Sequence, residues 1–177
     1  MTRTDFLPEL SAYAGSGMTL DTVLEWTKDM EWRDAGVHSH ASDQVAGVVK
    51  NSRDASVIPL KDFKEEILSV IAPFVDEYAE RHNLENLDLE SFAFVRYVPG
   101  QFFEEHSDGG ESNPRRLSMV IYLNDDYTGG ELYFTKFKSL FKPGSRSIFL
   151  FPPTEEYTHA AQPVISGTKY VLIGFWK

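Results

Sequence analysis

The chain has 177 residues, no cysteine, a formal net charge of −10 and 14% aromatic residues. Disulfides and thiolate metal sites are excluded, and binding to a polyanion is disfavoured because neutralising phosphates needs clustered Lys and Arg. The length suits one domain with a sizeable core, and neither a signal-peptide pattern nor a bilayer-spanning apolar run is present. We therefore expect a soluble cytoplasmic protein with no membrane or nucleic-acid partner.

In chain order, the first helix signal lies between Thr19 and Trp32, where Thr19 or Asp21 can cap and Leu20, Val23, Leu24 and Met30 form an apolar side. Small and polar residues then prevail as far as Ser56. His38 and His40 make an HxH pair there, but such a composition reads as a loop or edge hairpin rather than an iron site. A stronger helix is predicted from Lys61 to Arg81. Phe63, Ile67, Val70, Ile71, Phe74, Val75 and Tyr78 recur at spacings of three and four, a stripe suited to lie across a sheet. Pro73 is expected to bend or divide it, and His82 reads as part of its C-terminal end.

From Ser91 onward strand signals dominate, separated by Gly109-Gly110, Asp125-Asp126, Gly129-Gly130, Pro143-Gly144 and Pro152-Pro153. Many short strands behind two helices predict a mostly β fold with N-terminal helices: a double-stranded β-helix, the cupin-like jelly-roll barrel of two facing sheets, buttressed by the helices. The expected organisation is a single domain over 1–177, with 1–90 mainly helical support and loops and 91–177 the β-helix core.

Within that core an alternating strand turns at Pro99-Gly100 and resumes toward His106 and Asp108. A bare HxD recurs by chance. In an extended segment, however, residues two apart point to the same side, so this pair can grip one ion. His159 supplies a third ligand. Two imidazoles and one carboxylate on one face of an octahedral ion form the facial triad of non-haem Fe(II) oxygenases, with the open positions left for a bidentate 2-oxo acid and dioxygen. In the last strand Lys169, Val171, Ile173 and Phe175 share one face. An ammonium on an apolar inner face needs an anionic partner, and the far carboxylate of 2-oxoglutarate would serve. Standing alone, Lys169 would read as a lysine in water at the strand mouth. The segment from Gly109 to Pro114, just after the metal pair, reads as a mobile lip over a substrate.

Longer motifs carry a family resemblance. RYVPGQFFEEHSD (96–108), RRLSMVIYLN (115–124), GGELYF (129–134), KPG (142–144) and HAAQPVISGTK (159–169) occur in the order found in prolyl 4-hydroxylase-type 2-oxoglutarate, Fe(II)-dependent dioxygenases, which this chain resembles. The resemblance spans about half the chain. It implies His106, Asp108 and His159 as iron ligands and Lys169 as the partner of the distal 2-oxoglutarate carboxylate. Many relatives place a threonine donor where this chain has Leu132; Tyr122 then resembles the tyrosine that serves instead in oxygen-sensing relatives, with Ser118 or an ordered water as the alternative donor. Tyr97 resembles a tyrosine near the metal and co-substrate, or is simply a strand aromatic. Arg115 resembles an arginine that contacts peptide, with Arg116 as its rival, and Phe175 stands where collagen-type enzymes carry a pocket-lining tryptophan.

The implied cofactors are Fe(II), 2-oxoglutarate and dioxygen, with ascorbate as an accessory reductant. The implied reaction is hydroxylation of a C–H bond, foremost in a prolyl residue of a peptide or protein; the acidic chain makes a basic or neutral polypeptide the easier partner. Two alternatives stand beside it. One is an oxygenase of the same family acting on another side chain, a free amino acid or a small metabolite. The other is a non-catalytic cupin-like metal-binding module, which would have no use for Lys169 and Tyr122.

Overall fold

A computed structural model describes residues 2–35, 53–111 and 113–177, together with the backbone of two short strands at Val37–His38 and Val45–Ala46. His40 and the side chain of His38 lie outside the described residues.

The N-terminal part contains β1 (Thr2–Leu7), β2 (Leu10–Ala14), α1 (Leu20–Thr27), β3 (Arg33–Asp34), β4 (Val37–His38), β5 (Val45–Ala46), β6 (Arg53–Asp54), β7 (Ser56–Pro59) and α2 (Lys64–Arg81). It continues with β8 (Leu89–Tyr97), β9 (Phe102–His106), β10 (Leu117–Tyr122), β11 (Thr128–Gly129), β12 (Leu132–Phe134) and β13 (Ser139–Phe141). The last strands are β14 (Ile148–Phe151), β15 (His159–Ala161), β16 (Val164–Ser166) and β17 (Lys169–Trp176). Among the described residues an eight-stranded sheet runs in the order β1-β2-β14-β10-β17-β8-β7-β3 and a five-stranded sheet in the order β13-β12-β15-β9-β6.

The two sheets enclose one core, in which Val95, Tyr122, Phe149, Phe151 and Val171 of the larger meet Leu132, Phe134 and Val164 on the opposing side. A second core lies on the other face of the larger sheet, where Phe92, Phe94, Met119, Ile121 and Leu172 receive the helices. This is the double-stranded β-helix architecture with helical buttress that the strand pattern predicts. One part of the expectation is corrected: the sheets are hydrogen-bonded separately and do not close into a barrel.

Each helix follows its sequence signal. Thr19 Oγ1 accepts from the Thr22 N–H at 3.2 Å, capping α1, which ends at Thr27 rather than Trp32. In α2 the buried residues are Ile67, Ile71, Phe74, Val75 and Tyr78, the predicted stripe. Pro73 does not divide this helix. Its ring removes a bond to the Ser69 carbonyl, but both residues are on the exposed face, where water can satisfy that oxygen.

Residues 2–14 differ more from expectation. They form a hairpin whose second strand pairs with β14, Tyr13 opposite Ile148 and Ser11 opposite Leu150, so the N-terminus extends the larger sheet.

Two glycines set the bend that leads from β11 to β12. Gly129 and Gly130 have φ of +71° and +66°, the left-handed region open to glycine. A Cβ on Gly129 would stand 2.4 Å from the Pro163 carbonyl oxygen. Gly129→Ala should therefore lower stability by more than about 1 kcal/mol, through both backbone strain and the clash. Urea unfolding checks this; an unchanged midpoint would show that the bend has room to relax.

Candidate metal and co-substrate site

β9 and β15 pair antiparallel with His106 directly opposite His159, so the ladder itself brings together two histidines 53 positions apart in sequence. Their ring centroids are 4.4 Å apart. Asp108 follows two residues beyond the end of β9. Its Oδ1 lies 3.4 Å from His106 Nε2 and its Oδ2 3.7 Å from His159 Nε2. All three ligating atoms fall within 4.8 Å of one another.

The outer contacts fix which nitrogens face inward. His106 Nδ1 donates to the Glu104 carbonyl at 2.7 Å and His159 Nδ1 to the Tyr157 carbonyl at 3.0 Å. A carbonyl only accepts, so each Nδ1 carries a proton and each Nε2 is the nitrogen that faces inward. Two ring nitrogens and a carboxylate then converge, and with the imidazoles neutral they offer a cation three donor atoms. Adjacent ligands on an octahedral ion with bonds of about 2.1 Å would stand roughly 3 Å apart. The Asp108 separations of 3.4 and 3.7 Å are near that value, and the three groups are placed to close around one divalent first-row ion. Burial pushes the His159 imidazole down to about 4, which keeps it neutral and ready to ligate. Burial opposes ionisation of Asp108, but the attraction of His159 and His106 in their protonated forms outweighs it and holds that carboxyl well below the usual range.

The triad opens into a cavity of about 460 Å³ between the sheets. At its other end Lys169 begins β17, only 3% exposed, with Nζ donating to the Gly130 carbonyl at 2.7 Å. Tyr97 and Tyr122 flank it, their ring centroids 5.3 and 5.2 Å from Nζ. Burial brings the Lys169 ammonium down to about 7, with Glu131 pulling the other way. Leu132 also lines this end, apolar where a donor would otherwise stand.

Ser118 and Tyr122 lie on the same strand but serve different ends of the cavity. In the β10–β17 register Ser118 is opposite Phe175 and Tyr122 opposite Val171, two positions from Lys169. At about 3.3 Å per residue Ser118 is some 20 Å from Lys169 along β17, too far to share a ligand carboxylate with it.

The structure brings His106, Asp108, His159, Lys169, Tyr122, Tyr97, Arg115 and Phe175 to one cavity. Arg115 is already engaged, its Nε within 3.1 Å of both Glu90 carboxylate oxygens and its guanidinium 3.6 Å from the Phe175 ring centroid. Arg116 turns away and donates to the Glu85 carbonyl. His82 lies against Tyr78 at the end of α2, apart from the triad. Two further charged groups at the site carry no local sequence signal. Arg53 lines the cavity 4.5 Å from the Phe103 ring centroid and hydrogen-bonds the Tyr97 hydroxyl; it comes from a polar stretch with no periodicity. Glu90 is an ordinary acid at a strand start, and only the sheet register reveals its partner.

Comparisons with known proteins agree with this geometry. Residues 92–177 match the family model described as the 2OG-Fe(II) oxygenase superfamily. A protein of Acanthamoeba polyphaga mimivirus named "Putative prolyl 4-hydroxylase" is 27% identical over 125 residues, which cover 58% of this chain and 50% of that protein. The chain thus spans about half the length of this curated relative. The fold is shared with the viral collagen prolyl hydroxylase of Paramecium Bursaria Chlorella virus-1, solved as its 2OG complex, at TM-score 0.69 and 22% identity over 95% of both chains. It is shared too with a Pseudomonas putida prolyl-4-hydroxylase at TM-score 0.73 and 17% identity, over 96% of this chain and 92% of the other. A third match is a Trichoplax adhaerens prolyl hydroxylase in complex with a hypoxia inducible factor peptide fragment, at TM-score 0.71 and 17% identity over 95% and 83%.

The buried Lys169 has a measurable consequence for the ligand-free protein. Its ammonium is more costly in the fold than in the unfolded chain, so Lys169→Met should raise stability at neutral pH by about 1–3 kcal/mol. Between about 7 and 10.5 the unfolded chain holds the proton that the folded one has released. Wild type should therefore gain on the variant as pH rises through that window, and lose that gain as pH falls back. Thermal unfolding of both proteins from pH 7 to 10 checks the sign; a constant difference would place the Lys169 charge in water.

Proposed function

We propose that this protein hydroxylates a C–H bond, foremost in a prolyl residue of a peptide or protein: residues 92–177 match the 2OG-Fe(II) oxygenase superfamily model and the fold is shared with prolyl hydroxylases. The observation that carries this reading is the placement of an ionisable metal triad and a buried lysine at two ends of one cavity. His106, Asp108 and His159 would hold Fe(II), and Lys169, Tyr122 and Tyr97 would receive the far carboxylate of 2-oxoglutarate. When bound, Fe(II) with 2-oxoglutarate and dioxygen supplies the oxidising power, one oxygen atom going to substrate and one to succinate, with release of carbon dioxide. The chain orients these groups and limits water; ascorbate would restore iron oxidised without substrate.

The substrate side of the cavity favours an uncharged residue. Val57, Ala93, Val120, Ile173 and Phe175 line it, and Arg115 beside Phe175 is paired with Glu90. A free amino acid would bring two charges to this apolar wall, whereas a prolyl residue within a chain brings none. Glu104 and Glu105 are exposed at the rim and favour a basic or neutral polypeptide. A cysteine-free chain is compatible with the reducing cytoplasm that we propose as its location. No described helix is long and apolar enough to cross a membrane.

Succinate release should depend on Fe(II), 2-oxoglutarate and a proline-containing peptide, with the peptide gaining the mass of one oxygen. Turnover of free amino acids or small metabolites in the same panel, with no peptide product, would transfer the assignment to the alternative substrate class. No succinate with any substrate, alongside tight metal binding, would favour the non-catalytic module.

Tyr122→Phe keeps the ring against Phe149 while deleting the hydroxyl. Loss of one hydrogen bond to a charged group costs about 1.5–3 kcal/mol, so the 2-oxoglutarate requirement should rise about ten- to hundredfold with iron affinity retained. Adding Leu132→Thr should recover part of it. An unaltered 2-oxoglutarate dependence would make Tyr122 a packing residue.

A further inference from the structure

Asp108 lies beyond the last residue of β9, so no sheet ladder holds its backbone. Its carbonyl instead accepts from Arg115 Nη1 at 3.0 Å and from Asn113 Nδ2 at 3.2 Å. Arg115 is itself held from behind. Its Nε lies 3.1 Å from both Glu90 oxygens, and its Nη2 also donates to Glu90 Oε1. The guanidinium lies flat enough to place its carbon 3.6 Å from the Phe175 ring centroid, and the Arg115 side chain is only 9% exposed. A planar fork fixed on one edge by a carboxylate has little freedom on the other, so the Glu90 contact aims Nη1 at the Asp108 carbonyl. Burial resists ionisation of Glu90, but Arg115 overcomes it and holds the carboxyl below its ordinary range.

We infer that Glu90 is a positioning residue of the metal site, acting through Arg115 to hold the Asp108 backbone and so the direction of its carboxylate. This rests on the reading of Asp108 as a metal ligand. It also gives Arg115 a task besides the peptide contact its sequence position implies, because Nε, Nη1 and Nη2 each already donate to Glu90 or to the Asp108 carbonyl. Lys177, with Nζ 3.4 Å from Glu90 Oε2 and half exposed, is an outer addition that the brace does not require.

The test uses the full chain under anoxia, with Fe(II) titration for affinity and the visible absorption of the Co(II) form for ligand geometry. Outer contacts to metal ligands commonly govern affinity by about 10–100-fold. Glu90→Ala should weaken both metals within that range and shift the Co(II) bands, and Glu90→Gln should do the same to a smaller degree. Because Glu90 acts through Arg115, the double variant Glu90→Ala/Arg115→Ala should bind metal no more weakly than Arg115→Ala alone. Wild-type affinity and Co(II) bands in Glu90→Gln would overturn the inference, and that variant decides if Glu90→Ala does not fold. A raised peptide KM with unchanged metal binding would also overturn it, returning Arg115 to substrate contact. Asp108→Ala separates the two levels. If it retains wild-type metal affinity, the ligand reading itself fails; if it loses metal while both Glu90 variants bind normally, only the brace fails.

Discussion

β17 runs between β10 and β8, and its alternation divides the molecule into layers. Leu172 and Trp176 face the helices, together with Gly174, where a Cβ would come within 2.7 Å of the Phe92 ring. Lys169, Val171, Ile173 and Phe175 face the cavity. A one-residue slip against either neighbour would move the ammonium to the helical side and an apolar residue into the cavity. The same register sets Tyr122 beside Lys169 and Ser118 at the distant end. Thus the placement of the co-substrate end follows from strand pairing, and the side chains need only be of the right type.

The metal end is built differently. There the smaller sheet contributes a cross-strand histidine pair, while the carboxylate comes from irregular chain just outside the ladder. Ladder residues inherit their precision from backbone hydrogen bonds. Asp108 has no such support; its carbonyl accepts instead from Asn113 and from Arg115, with Glu90 behind the latter. Gly109 adds a further tie, its N–H donating to the Pro153 carbonyl at 2.8 Å. The two sheets are therefore connected at the site by a polar bridge as well as by the apolar core.

This division explains what was legible in the sequence. Period-two spacing announced His106 with Asp108, and Lys169 with Phe175, because side chains two apart in extended chain must share a side. The stripe of α2 was equally plain, since spacings of three and four admit one surface. Residues 2–14 were not read as strands because the outer one, β1, is almost wholly exposed and lacks an apolar face; it is the register of Tyr13 and Ser11 with β14 that makes the hairpin part of the sheet. Pro73 was overvalued as a breaker because the cost of a missing helix bond depends on whether water reaches the freed carbonyl, which a sequence does not state. Arg53 and Glu90 belong to a third kind: their partners, Tyr97 and Arg115, are distant in sequence, and no local pattern joins them.

On the proposed reading, the charges of the bound groups and of the residues that hold them also account for one another. Histidines ligate a metal in the neutral form, so a divalent ion, the Asp108 carboxylate, dianionic 2-oxoglutarate and the Lys169 ammonium together carry no net charge. Either ligand without the other leaves a surplus in a largely buried site, where unbalanced charge is expensive. Metal without the dicarboxylate adds positive charge to a cavity that already holds a lysine, and the dicarboxylate without metal has one carboxylate lacking a partner. Each ligand thus improves the site for the other, and this coupling is reciprocal by thermodynamic necessity. It also reverses the penalty on Lys169: the burial that draws its proton off at about pH 7 in the free protein strengthens its attraction to a bound carboxylate. A lysine that weakens the empty fold is in this way the group that makes the filled site favourable.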